Sequence, residues 1–94
     1  MQFVDSADGT RIATYEDGNP DGPVVVLVHG WPDSHDMWDA TVPHLADTYR
    51  VIRYDNRGSR NSGVPKKVSS YTMAHCADDF AAVIAALAPG EKVH

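Results

Sequence analysis

Four residues, His29-Gly30-Trp31-Pro32, follow directly on the apolar run Val24 to Val28, and a second tryptophan, Trp38, comes seven residues after Trp31. A glycine here permits a sharp backbone turn, and a proline removes one donor while fixing its own dihedral. The donor left over is the Trp31 N–H, which can then point into a cleft rather than into a strand ladder. A rigid backbone donor in a dry site contributes roughly 3 to 4 kcal/mol to a transition state that builds negative charge on oxygen. On the residues alone two readings stand: HGWP places an oxyanion donor, or it merely terminates a strand.

A second cluster, "YDNRGSRNS" from Tyr54 to Ser62, holds Asp55, Arg57 and Gly58. Asp55 is read as an acceptor for N–H groups of its own turn or as the partner of Arg57 or Arg53, a fold-holding task. His29, before a glycine at a strand end, is expected to hydrogen-bond locally rather than act as a base. Trp38 is expected to pack between loop and helix, with a pocket wall as its other reading. His35, Asp36 and Asp39 have no established ligand spacing, so no metal is expected. Cys76 falls on an apolar stripe and reads as an inert buried thiol.

These residues need elements to position them. "QFVDSADGTRIATYEDG" gives two strands, Gln2 to Val4 and Arg11 to Glu16, around Asp8-Gly9, a dipeptide suited to a hairpin turn. Turn formers from Gly18 to Pro23 lead into Val24 to Val28, whose lack of alternation predicts a strand buried on both faces. Pro43 fits the first turn of a short helix capped near Thr41, with Trp38, Val42 and Leu45 on one face. Tyr49 to Asp55 reads as the next strand. From Thr72 as N-cap, residues Met73, Cys76, Ala77, Phe80, Val83, Ile84 and Leu87 form a core-facing stripe that closes at Pro89-Gly90. Lys92 to His94 reads as the start of a further strand. Hairpin, buried strand, helix, strand, helix and nascent strand make an α/β chain, and ligands of such sheets bind at the carboxyl ends of the strands. His29 and Asp55 both stand at such ends.

Size and charge narrow the function. Ninety-four residues allow one small domain, 1–94. Eight Lys and Arg against thirteen Asp and Glu give a net charge of -5, which disfavours nucleic acid or an anionic membrane as a main partner. One cysteine permits no internal disulfide and fits a reducing compartment, so a cytoplasmic location is expected. The first residues lack a signal-peptide pattern, and no apolar run reaches membrane-spanning length.

Taken together, "HGWPDSHDMW" after a buried strand and "YDNRGSRNS" after the next resemble the amino-terminal third of the α/β-hydrolase fold, in its epoxide hydrolase and haloalkane dehalogenase branch. The likeness covers essentially the whole chain. Through "EDGNPDGPVVVLVHGWPDSHDMWD" and "YTMAHCADDF" it is nearest to mycobacterial-type proteins in which an epoxide-hydrolase-like domain precedes a short-chain dehydrogenase domain. The resemblance implies that the Trp31 N–H is the oxyanion donor and that the Trp31–Pro32 peptide is cis. It implies that His29, Gly30 and Pro32 shape that loop, and that Asp55, Arg57 and Gly58 support it. Arg60 stands where the family usually carries a second glycine, which implies a displaced loop there.

The chain has no G-x-S-x-G elbow or Asp-bearing equivalent, and no acid and histidine following one. The resemblance therefore implies an incomplete domain, a fragment of a longer protein ending before the elbow, inactive and self-associating on its own. In the intact protein an Asp nucleophile would open an epoxide or similar small apolar electrophile, without metal or organic cofactor. NAD(P) would belong only to a dehydrogenase domain downstream, in which case the chain is the hydrolase half of an oxidoreductase. The rival expectation is a non-catalytic module holding a ligand or a partner chain in a hydrolase-like pocket.

Overall fold

Asp8 and Gly9 turn the chain at once: the Asp8 carboxylate accepts from Thr10 N–H, and Gly9 takes a positive φ of 86°. The strands on either side pair antiparallel, β1 (Gln2–Asp5) with β2 (Arg11–Gly18). All 94 residues are described by a computed structural model. In it the hairpin continues a mixed sheet of order β1-β2-β4-β3, where β3 is Val24–Val28 and β4 is Arg50–Tyr54. β2 joins β4 antiparallel, while β3 and β4 run parallel with Val28 beside Tyr54. The two loops after β3 and β4 therefore leave the same end of the sheet side by side.

Alternation along β4 sorts its residues to two layers. Ile52 and Tyr54 join Ile12, Val24, Val83, Leu87 and Ala88 in the core beneath α2 (Met73–Leu87). On the other face Arg53 donates to the His35 carbonyl and to Asp39, in the segment before the short helix α1 (Val42–Leu45). Each aliphatic side chain fully buried in that core contributes about 1.5 to 3 kcal/mol. Thr72 caps α2 by accepting from His75 N–H. Thr41 holds the N-cap position of α1 without a side-chain bond, and Pro43 lies in that helix's first turn. No helix is long and apolar enough to cross a membrane.

Two expectations change. β3 is not buried on both faces: Val24 is 1% exposed but Val28 is 43% exposed. Beyond β4, its only other pairing is a parallel bridge from Val24 to Val93, with Val26 N–H donating to the His94 carbonyl and His94 N–H to the Val24 carbonyl. The rest of that edge is bare, which is why the apolar run is half covered. The stripe of α2 is also turned from its expected face. Val83 and Leu87 are buried, yet Met73 is 85% exposed and Phe80 37%, and the buried residue of the preceding turn is Asp79. An ion pair from Asp79 to Arg57 sets this rotation, leaving Met73, Cys76, Ala77 and Phe80 along an open cavity.

Candidate functional site

The loop after β3 opens with a tight turn. Asp33 N–H donates to the Gly30 carbonyl at 2.9 Å, and the Trp31–Pro32 peptide inside the turn is cis, as expected. Trp31 N–H donates to no acceptor in the chain, and the Trp31 residue is 89% exposed. His29 is buried beneath it. Its Nδ1 donates to the Gly30 carbonyl at 2.9 Å, and its Nε2 accepts from Asn56 N–H at 2.9 Å. A carbonyl only accepts and an amide N–H only donates, so the pair fixes one neutral tautomer. Asn56 Nδ2 also donates to the His29 carbonyl at 2.9 Å, which ties the two post-strand loops together.

The loop after β4 starts at Asp55, which is fully buried. One of its oxygens accepts from His35 N–H at 2.9 Å and His35 Nδ1 at 2.7 Å; the other accepts from Tyr15 Oη at 2.7 Å and Asn61 N–H at 3.3 Å. Burial alone would raise this carboxyl, but those bonds to its charged form outweigh burial and hold it below the usual aspartate value. Tyr15 stacks on the His35 ring, centroids 3.6 Å apart. A carboxylate so fully occupied is support for the loop, in keeping with the fold-holding reading. Its partners differ from those expected, since neither Arg57 nor Arg53 touches it.

Arg57 pairs elsewhere because its loop carries it under α2. Nε and Nη2 donate to Asp79 at 2.8 and 2.6 Å, Nη1 and Nη2 to Asp8 at 2.8 and 3.3 Å, and Nη1 to the Ser70 carbonyl at 2.7 Å. All five guanidinium donors are used. Hydrogen bonding to Asp79 raises Arg57 above the usual arginine value, and Arg57 in turn holds Asp8 well below the carboxylate range. Arg53 bridges Asp39 and Asp17.

Gly58 has two reasons to be glycine. Its φ is 81°, and a Cβ there would lie 2.8 Å from Tyr71 Cε1. Arg60 adopts a glycine-like φ of 43° and pairs with Asp36 at 2.9 Å.

The two loops and α2 enclose two adjoining cavities. One, of about 490 Å³, is lined by Val28, Gly30, Trp31, Tyr54, Met73 and Phe80 among others; a second, of about 380 Å³, by Trp31, Asn56, Arg57, Ser59, Tyr71 and Cys76. Burial pushes the Tyr54 phenol up to about 12, with Asp79 and Cys76 adding to the shift, so this wall is uncharged at neutral pH. Cys76 is half-buried and borders both cavities rather than lying inert in the core. Trp38, half-buried in a single turn of 3-10 helix, borders neither, and its indole N–H has no partner. No three His, Cys, Asp or Glu side chains converge as metal ligands.

The sequence reading missed Asn56, Tyr15, His35 and Asp79 as partners of the residues it chose. Asp79 left a signal: a carboxylate four residues before Val83 on a buried stripe requires a buried cation. The other three left none, because their partners lie 20 to 40 residues away.

Comparison with known proteins places this geometry. A family model described as the alpha/beta hydrolase fold matches residues 23–94. "Probable oxidoreductase EphD" of Mycobacterium tuberculosis is 66% identical over 93 residues, 99% of this chain and 16% of that protein. The bifunctional esterase/perhydrolase DCH of Acinetobacter calcoaceticus is 38% identical over 95 residues, covering 100% of this chain and 34% of the relative. The crystal structure of epoxide hydrolase VrEH1 from Vigna radiata superposes with a TM-score of 0.87 at 31% identity, over 99% of this chain and 30% of the other. The chain thus spans between about a sixth and a third of the length of the relatives it matches.

Proposed function

This chain belongs to the α/β-hydrolase fold family, and from that premise we propose that it forms the oxyanion side of a hydrolase that opens an epoxide or similar small apolar electrophile. The observation that carries the reading is the Trp31 N–H, left without an acceptor beside the ends of two parallel strands and bordering both cavities. An apolar wall of Val28, Met73 and Phe80 suits a small apolar substrate.

In this reading a carboxylate nucleophile outside these 94 residues attacks the electrophilic carbon, and the epoxide oxygen leaves as an alkoxide that is protonated. The product is an alkyl ester of the enzyme. Water, activated by a histidine also outside these residues, attacks the ester carbonyl, and the Trp31 N–H stabilises the oxyanion of that second step; the intermediate then collapses, breaking the bond to the substrate oxygen, which takes the histidine's proton and leaves as the diol while the carboxylate is restored. His29, Gly30 and Pro32 hold the donor's loop, and Asp55, Arg57 and Gly58 hold the loop beside it. The chemistry calls for neither metal nor organic cofactor. If the oxidoreductase in the name of EphD applies, its NAD(P) site belongs to other residues.

A second reading, acyl transfer through a serine nucleophile, is favoured by the 38% identical esterase/perhydrolase. It uses the same Trp31 donor on a different intermediate. The deciding experiment offers the whole protein that carries this domain a small apolar epoxide and a p-nitrophenyl ester. Diol formation supports the epoxide reading, and ester cleavage without diol replaces it with acyl transfer. Turnover of neither, with retained binding of an apolar ligand, leaves the non-catalytic module.

A further inference from the structure

Arg60 is the one residue other than glycine with a positive φ in this chain, at 43°. A side chain is disfavoured in that backbone region, and strained residues of this kind cluster at ligand-holding sites. Packing does not account for this one: the Arg60 side chain is 59% exposed, and Nη2 reaches its one charged partner, Asp36 Oδ2, at 2.9 Å. A guanidinium has five N–H donors in a rigid fork, so most of them are left for a group outside the chain.

The same residue lines a third cavity, of about 300 Å³, together with Trp31, Asp33, Ser34 and Ser59 among others. Its walls are polar, in contrast to the apolar wall of Val28, Met73 and Phe80. It adjoins the second cavity through Trp31 and Ser59, and Trp31 also borders the first. An apolar compartment and a polar one therefore meet at the residue that carries the free N–H.

From this arrangement we propose that Arg60 is a specificity-determining residue: the substrate is an amphipathic epoxide with one apolar arm along Val28, Met73 and Phe80 and a second arm ending in an uncharged oxygen acceptor, such as a hydroxyl, held by Arg60. The inference rests on the reading of Trp31 given above and adds the substrate class to it. Charge decides between an uncharged acceptor and a carboxylate. Asp33 on the cavity wall and Asp36 beside Arg60 set two negative charges against one positive. Counting His35, whose Nε2 faces Asp36 at 2.9 Å, as a cation brings that sum only to zero. A carboxylate would give up its hydration for no net attraction, whereas an uncharged oxygen gives up less and still accepts from the arginine.

The test uses the whole protein and three internal epoxides that share one alkyl arm. The second arm, of equal length, ends in methyl, hydroxyl or carboxylate. The hydroxyl-ended epoxide is expected to have a kcat/KM about tenfold above the methyl-ended one, through KM, as one hydrogen bond to a charged group would give. The carboxylate-ended epoxide has no such advantage. Arg60→Gly, which suits the backbone, should bring the hydroxyl and methyl ends to near parity, and Arg60→Lys, which keeps a charged donor, should retain most of the preference. Calorimetry with the matching secondary amides, which have the same arms and cannot be opened, reads binding apart from turnover. Absence of a hydroxyl preference among the amides overturns the proposal, as does an Arg60→Gly variant that weakens all three ends alike, which would make Arg60 a support of its loop. A preference for the carboxylate end overturns the uncharged class. Amides that bind with the hydroxyl preference and its loss in Arg60→Gly, in a protein that opens none of the epoxides, support Arg60 as the anchor and overturn the epoxide-opening reading instead.

Discussion

Arg57 and Asp79 meet end to end, Nε to Oδ2 at 2.8 Å and Nη2 to Oδ1 at 2.6 Å, with each side chain 1% exposed. The pair joins the loop after β4 to the middle of α2, and Asp8 brings the turn of the first hairpin to the same guanidinium. A bidentate pair in this setting has geometric specificity as well as charge. Removing one partner leaves the other buried and unpaired, and that change costs about 3 to 5 kcal/mol. Against a total stability of about 5 to 15 kcal/mol for a domain, this is a large share.

Arg57→Ala should therefore lower unfolding stability in urea by about 3 kcal/mol or more, while turnover per folded molecule of the whole protein changes much less. A melting temperature left unchanged beside a large loss of turnover would make Arg57 a catalytic residue and remove its supporting role.

Arg60→Gly should stabilise the chain. Arg60 occupies the left-handed region at φ 43°, where a side chain costs roughly 1 to 2 kcal/mol, and its ion pair to Asp36 is 59% exposed at the arginine end. An exposed pair returns about 0.2 to 1 kcal/mol, and glycine loses up to about 1 kcal/mol through its freer unfolded state. The net expectation is a gain of up to about 1 kcal/mol, or a few degrees in melting temperature. A loss of stability would show that the Asp36 pair outweighs the backbone.

Asp55 should make stability fall on acidification. Its folded-state carboxyl lies below the ordinary 3.8, so the contribution is fully present above that value and disappears as pH drops through the lower, folded one. Thermal unfolding followed from pH 6 down to pH 2 should show the melting temperature dropping below about pH 4. Asp55→Asn should be less stable at neutral pH and should flatten part of this slope. Asp8, depressed by Arg57, supplies some of the rest. Parallel profiles for the two proteins would mean that Asp55 titrates as it does when unfolded.

How much of this was legible in the sequence follows from how local each signal is. The hairpin at Asp8-Gly9, the cap at Thr72 and the two loops after apolar strands are written in neighbouring residues, and they emerged where expected. The face of α2 was misjudged because spacing alone offers several overlapping apolar stripes, and the choice among them was made by Arg57, 22 residues from Asp79. Burial of β3 was overestimated for a related reason. A run of five apolar residues encodes that both faces and edges can be covered, whereas coverage itself depends on what pairs with it. Within the site, HGWP identified the right turn, but the proton on His29 is set by Asn56, 27 residues on.

The last expectation concerns the bare edge of β3. Val24 is bridged to Val93, but beyond the bond from Val26 N–H to His94 the outer ladder groups of the strand have no partner. Val28 at its end is 43% exposed, and Met73 and Phe80 on α2 border the same opening as Val28 and Trp31. An apolar strand edge with unpaired backbone groups is a template for another chain, and an adjoining apolar patch adds to the drive for association. The 94 residues alone should therefore self-associate in a concentration-dependent way and show no epoxide turnover. Val28→Lys places a charge on the open edge without touching the core beneath Val24, so light scattering should show smaller species for this variant than for the parent at equal concentration. A parent chain that stays monomeric and monodisperse would defeat the association claim. Association that survives Val28→Lys unchanged would move it away from this edge, and measurable turnover would place a nucleophile within these residues.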